Sequence, residues 1–238
     1  MPSKENSEHF ARVKEPRSFW GLFCRRQCVV PTWRGWIALL AATAVALCVA
    51  VRTVHPFLAV TARVDGEVLV VEGWAADYAM EQAIAEFRRH PYRALCVTGG
   101  PIEKGAPLSE YKTYAELGLA TIEKLGLRTN VVHAVPAPVV RKDRTFASAR
   151  TLKHWLREHG LMTAKINVVS GDAHARRTRL LFEKAFGKDS EIGIIAVEDQ
   201  TYDAKRWWTS SRGFRTVVDE AIAYLYARLM FRPPKDSA

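Results

Sequence analysis

The sequence predicts an α/β protein: a three-layer sandwich around a mainly parallel sheet of five strands, preceded by one N-terminal transmembrane helix. Three observations carry that prediction. Short β-branched runs alternate five times with stretches of helical length and period, which implies right-handed parallel crossovers. An uncharged run of 16 residues, Trp36 to Val51, lies between Arg34 and Arg52. The charge is also lopsided: residues 1–35 carry Lys4, Arg12, Lys14, Arg17, Arg25, Arg26 and Arg34 against Glu5, Glu8 and Glu15, within a chain of net charge +10. That asymmetry is typical of a membrane protein, because the basic residues of the remaining chain are interspersed with acids and form no stripe that would fit nucleic acid.

With 238 residues, 48% of them hydrophobic and 25% charged, the chain suits one full-sized globular domain plus an appendage. Residues 1–32 read as a basic cytoplasmic tail, broken by Pro16 and Pro31. Residues 33–52 read as the anchor, since Trp33 and Gly35 extend the apolar run toward the ~17–25 residues a bilayer requires. A cleaved signal peptide fits less well, because more than thirty residues precede the run and Leu47 precedes Cys48 where a lipobox needs a small residue. A buried core helix is the remaining alternative. By the positive-inside rule the tail stays in the cytoplasm and the rest of the chain faces outward, into the periplasm if the cell is a bacterium with an inner membrane. Cys24, Cys28, Cys48 and Cys96 offer the outer domain no disulfide, and the Cys24/Cys28 pair lacks partners for a tetrahedral metal site.

Residues 53–66 read as a linker containing His55-Pro56 and Asp65-Gly66, residues 67–231 as the α/β domain, and 232–238 as a tail. The first strand is Glu67 to Val71, followed by a helix from about Asp77 to His90 on which Ala83, Ile84 and Phe87 share a face. Ala94 to Thr98 is the second strand, with a helix from Ser109-Glu110 to about Leu125. Val131 to Val135 is the third, and Asp143 or Thr145 caps a helix running to Glu158. Lys165 to Ser170 is the fourth, with Asp172 as N-cap of a helix opening on His174 and ending near Phe186. Ile192 to Val197 is the fifth, followed by Trp207-Trp208 and a last helix from about Gly213 to Phe231.

Parallel strands bring their C-terminal ends together, and ligands of open α/β sheets bind there. Four patches should converge: Glu72-Gly73-Trp74; Thr98-Gly99-Gly100-Pro101 with Ser109-Glu110; Arg141 to Thr145 with Ser148 in the following helix; and Ser170-Gly171-Asp172-Ala173-His174 with Arg176 and Arg177. Backbone N–H groups at helix starts and glycine turns, together with arginines, suit a phosphate-bearing or otherwise anionic ligand. The expected binding residues are Gly73, Gly99, Gly100, Arg144, Thr145, Ser148, Gly171, Asp172 and Arg177. If the site is catalytic, His174 would be the general acid/base, kept neutral by the helix N-terminus, with Glu110 or Glu72 as its carboxylate partner. Each residue also has a plain structural role open to it: turns for the glycines, a helix-dipole contact for Glu110, and packing, a pocket rim or a membrane-surface contact for Trp207-Trp208. The chain has no G-x-G-x-x-G, no G-x-x-x-x-G-K-[ST], no G-x-S-x-G and no close His/Cys cluster, which removes the motifs for dinucleotides, P-loop nucleotides, serine hydrolysis and zinc. No cofactor can be assigned.

The order of these patches, T-G-G with a following S-E and then V-S-G-D-A-H-A-R-R, resembles the YdcF/SanA/ElyC family of bacterial proteins, from about Val68 to Leu229. The resemblance implies a Rossmann-like sheet and a role in envelope biogenesis touching peptidoglycan or its lipid-linked precursors; it implies no particular reaction. Its most specific pieces are Gly99-Gly100 with Glu110, and His174 with Arg177. The chain departs from the family at Glu72-Gly73-Trp74, where a glycine-rich turn is usual, and at Thr145-Phe-Ala-Ser-Ala149, where T-x-E-N-A is frequent. The leading expectation is thus a single-pass inner-membrane protein whose outer domain binds an anionic envelope metabolite, such as a lipid-linked phosphate. A non-catalytic envelope adaptor is the alternative, and a nucleotide- or methyl-donor-binding enzyme a weaker one.

Overall fold

The computed structural model describes residues 30–127 and 130–234. The basic tail up to residue 29, with Cys24 and Cys28, lies outside them, as do the last four residues. The first element is helix α1, Trp33–Leu58, whose apolar window has no buried residue and is long and apolar enough to cross a membrane. The chain divides after Ala46 into two compact units. In the first, the described residues are the start of α1, with Trp33, Trp36, Ile37, Leu39 and Leu40 exposed. A buried core helix is therefore not what this segment forms.

The second unit, Leu47 onward, holds the end of α1 and the whole α/β domain. Five strands, β1 (Val68–Glu72), β2 (Ala94–Gly99), β3 (Val132–Pro136), β4 (Lys165–Gly171) and β5 (Glu191–Val197), form one sheet in the order β3-β2-β1-β4-β5, and every pairing is parallel. Helices α2 (Asp77–Arg89) and α3 (Tyr114–Lys124) follow β1 and β2; α4 (Arg144–Glu158), α5 (Ala175–Phe186) and α6 (Ser211–Leu229) follow β3, β4 and β5. Alternate strand residues feed two cores. Leu69, Val71, Leu95 and Val97 pack with α2 and α3 residues such as Met80 and Ile122. Val68, Val70, Ile166 and Val168 pack with Leu152, Leu156, Phe182 and Phe186 of α4 and α5. Burial of β1 and β2 on both faces explains their continuous apolar runs.

Three local expectations change. The span expected as a linker from residue 53 begins as helix, because α1 runs on through Pro56 to Leu58, and His55 and Leu58 are buried. Helix α3 starts at Tyr114 rather than at Ser109-Glu110, because Thr113 and Glu116 form a reciprocal capping box. Asp172 does not cap α5: it opens a 3₁₀ turn, Asp172–His174, and its carboxylate is bound to His55 Nε2 at 2.9 Å and to the Tyr202 hydroxyl. That cluster ties the end of α1 to the β4–α5 turn.

Candidate functional site

Strand order reverses between β1 and β4, the switch point at which open α/β sheets leave a crevice. A cavity of about 710 Å³ opens there, at the C-terminal ends of the strands. Its floor starts with Glu72, the last residue of β1, which is 3% exposed. Ser170, near the end of neighbouring β4, donates its hydroxyl to Glu72 Oε2 at 2.6 Å. Beside it stands His174, held between two carboxylates. Its Nδ1 is 2.9 Å from Glu220 Oε1, and its Nε2 is 3.5 Å from Glu72 Oε1, too far for a good hydrogen bond. Arg177, one turn along α5, clamps Glu220 with two donors, at 2.8 and 3.0 Å. Arg177 Nη2 and His174 Nδ1 approach to 2.9 Å because both donate to the same Glu220 oxygen.

These contacts set the protonation of the ring. Burial opposes a charged imidazole, but the negative charge of Glu72 and the hydrogen bond to Glu220 outweigh it and raise the His174 pKa to about 9. Burial likewise opposes the Glu220 carboxylate, yet the bonds from His174 and Arg177 lower its pKa to about 2. Burial would lower the Arg177 pKa, and Glu220 reverses this. His174 is therefore an imidazolium at neutral pH, which corrects the expectation that a helix N-terminus keeps it neutral: two carboxylates overcome one helix dipole. With Nδ1–H committed to Glu220, Nε2–H has no hydrogen-bond partner among the described residues, and neither has the Thr98 hydroxyl at the end of β2. Both residues line the cavity, and Trp74 stands edge-on to the His174 ring at 5.1 Å.

Around this floor the wall is formed by Gly99, Gly100, Thr145 and Ser148, and the rim by Arg141, Lys142, Asp143 and Arg144. Arg144 is exposed and paired with Glu103 across the rim. Asp143, which precedes α4, takes a left-handed backbone (φ 56°) without capping the helix. Helix α6 closes the far side with Glu220, Ala223, Tyr226 and Ala227.

Of the expected residues, the structure thus brings together His174, Glu72, Arg177, Arg144, Gly99, Gly100, Thr145 and Ser148. Four do not join them. Glu110 is exposed in the loop before α3, beside Lys112 and Glu123 on a separate surface depression, because the helix starts four residues later. Gly73 serves packing: a Cβ there would lie 2.2 Å from the Tyr114 carbonyl oxygen, so glycine lets β1 and α3 touch. Gly171 and Asp172 do not line the cavity, since the 3₁₀ turn aims the Asp172 carboxylate at His55 and Tyr202. Nor do Trp207 and Trp208 form its rim. Sequence reasoning missed Glu220. The available signal was an acid on the otherwise uncharged inward stripe Gly213, Val217, Glu220, Tyr224 and Ala227 of the last helix.

No family model matches this chain, and no characterised protein matches it as a relative. Fold and site by themselves define a parallel α/β domain with an ion-paired histidine beneath a switch-point cavity, carried behind a helix that could span a bilayer.

Proposed function

We propose that the protein is anchored in a bacterial inner membrane by α1 and that its outward-facing α/β domain binds an anionic, phosphate-bearing envelope metabolite in the switch-point cavity. One observation carries the ligand reading: His174 and Thr98, which line the cavity, each hold a buried donor, Nε2–H and the hydroxyl, with no hydrogen-bond partner among the described residues. An unpaired buried donor is costly, and a ligand oxygen brought within reach of either one would satisfy it. The rim cations Arg141 and Lys142 supply attraction at the mouth, while Arg144 is paired with Glu103. Glu72 and Glu220 are balanced by His174 and Arg177, so the floor does not repel an anion. If the ligand is turned over, the imidazolium serves as a proton donor through Nε2, with Glu220 and Arg177 holding the ring in place. The resemblance to envelope-associated proteins supports the same compartment.

The test is thermal stabilisation of the purified full chain by inorganic phosphate, phosphate monoesters and polyprenyl phosphates, repeated with Thr98→Val and His174→Gln. The expected result is stabilisation by one of these compounds that both variants lose. No stabilisation of a folded protein, or stabilisation that both variants retain, overturns the reading. A second reading, an envelope adaptor without chemistry, draws on the outward face of α6, where Ile222, Leu225 and Leu229 are exposed. Under that reading, polar substitutions at these three positions impair envelope function more than His174→Gln does.

A further inference from the structure

An aromatic cluster outside the cavity has no part in the proposed binding function. Trp207 is buried in a 3₁₀ stretch, Ala204–Thr209, and donates its indole N–H to the carbonyl oxygen of Val51 at 3.0 Å. Val51 is the last residue of the uncharged run. Trp208 meets the Trp207 ring edge-on at 5.9 Å, and Phe214 of α6 lies 6.1 Å from it on a tilt. Trp208 and Phe214 are 38% and 51% exposed. Lys205, Arg206, Arg212 and Arg215 are exposed in the same stretch, with Asp203 as the exposed acid there, and Arg52 is exposed on α1.

The contacts also fix which end of α6 lies nearest the apolar run. Val51 and Val54 pack into one small core with Trp207, Val217 and Val218. Six residues beyond Val51, Phe57 meets Tyr224 edge-on at 5.4 Å. Helix α6 therefore leaves Val51 as its own sequence advances, and the 3₁₀ stretch and first turns of α6 sit closest to that residue. Indole and phenyl groups favour the bilayer interface, where the ring is half solvated, and cations beside them match anionic headgroups.

We propose that this patch, Trp208 and Phe214 with Lys205, Arg206, Arg212 and Arg215, seats in the headgroup region of the bilayer that α1 spans, as a second membrane contact of the domain. The inference rests on α1 being the anchor and does not depend on what the cavity binds. Continuity selects lipid over a protein partner: Trp207, against which Trp208 and Phe214 pack, is hydrogen-bonded to Val51, where the apolar run ends.

The test uses the full chain in vesicles of phosphatidylcholine and phosphatidylglycerol, labelled at one thiol with an environment-sensitive fluorophore and quenched by brominated lipid. Three proteins are compared. One carries the label at native Cys48, exposed on α1; the others carry it at Phe214→Cys or Val139→Cys, each with Cys48→Ser. Cys24 and Cys28 are replaced by Ser throughout. Cys96 remains, because it is fully buried and its thiol is pushed up to about 12 by burial. The expected result is strong quenching at 48 and 214 and little at 139, a loop position that is 82% exposed. Quenching at 48 with position 214 as wet as 139 overturns the proposal and leaves the anchor intact. A label at 48 that escapes quenching removes the anchor, and the proposal with it. Trp208→Cys, labelled in the same way, guards against a local defect at 214 and should follow it.

Discussion

At the scale of single residues, the site is organised around the charge on His174. Its pKa in the fold, about 9, lies above the ordinary histidine value, so its contribution to stability is complete below about pH 6.5 and is lost as pH rises through about 9. Glu220 behaves in the opposite sense: its lowered pKa, about 2, makes its contribution complete above about pH 4.5 and lost as pH falls through about 2. Thermal melting of the full chain should therefore show a plateau between about pH 4.5 and 6.5 and a decline toward pH 9. In His174→Gln the alkaline part of that decline should flatten, and a slope equal to wild type would mean the ring is not charged in the fold. Glu220→Gln should bring the ring's titration, followed by NMR, below about 9, because one of its two carboxylate neighbours is gone.

Among the elements, the closest approach is between the end of β1 and the start of α3. Gly73 and Gly118 face each other: a Cβ on Gly118 would lie 2.9 Å from the Gly73 Cα, and one on Gly73 would collide with the Tyr114 carbonyl. Gly99 adds to the contact, with a Cβ there 2.7 Å from the Tyr114 Cβ. The backbone cannot yield as a side-chain tip does, so Gly73→Ala should cost about 1–3 kcal/mol or more, measured as a lowered urea midpoint at unchanged slope. An unaffected midpoint would mean that β1 and α3 are not in contact. The turn after β1 thus has a glycine for helix packing and lacks the glycine-rich loop that a dinucleotide needs, which counts against the nucleotide reading.

For the whole molecule, the proposed anchoring turns on where the chain's C-terminal end lies. Helix α1 is long and apolar enough to span, and its end is locked into the domain by the buried His55–Asp172 contact and the Trp207–Val51 hydrogen bond. A reporter fused after Ala238 should be active outside the cytoplasm and silent inside, and a cytoplasmic signal would remove the envelope reading altogether. The same lock ties the end of α1 to the turn that ends in His174, since Asp172, the first residue of that turn, is bound to His55.

Much of this was legible in the chain alone. Local periodicity located all five strands and, apart from the start of α3, their helices to within a few residues, because two-sided burial in a parallel sheet writes itself as apolar runs. The parallel arrangement then implied that Glu72, Gly99, Thr145 and His174 converge, and they do. Glu220 could not be placed with them, because its partners are 43 and 46 residues away and only the packing of α6 on α5 brings them together. Asp172 and Glu110 were misplaced for a related reason. A capping residue and a helix start are local guesses, and here a buried histidine from α1 and a capping box at Thr113 competed for the same stretches and won. Local pattern determined the elements and which strand ends would meet. Tertiary structure alone decided the charge of His174, because the pKa of a buried ring depends on the carboxylates that folding places beside it.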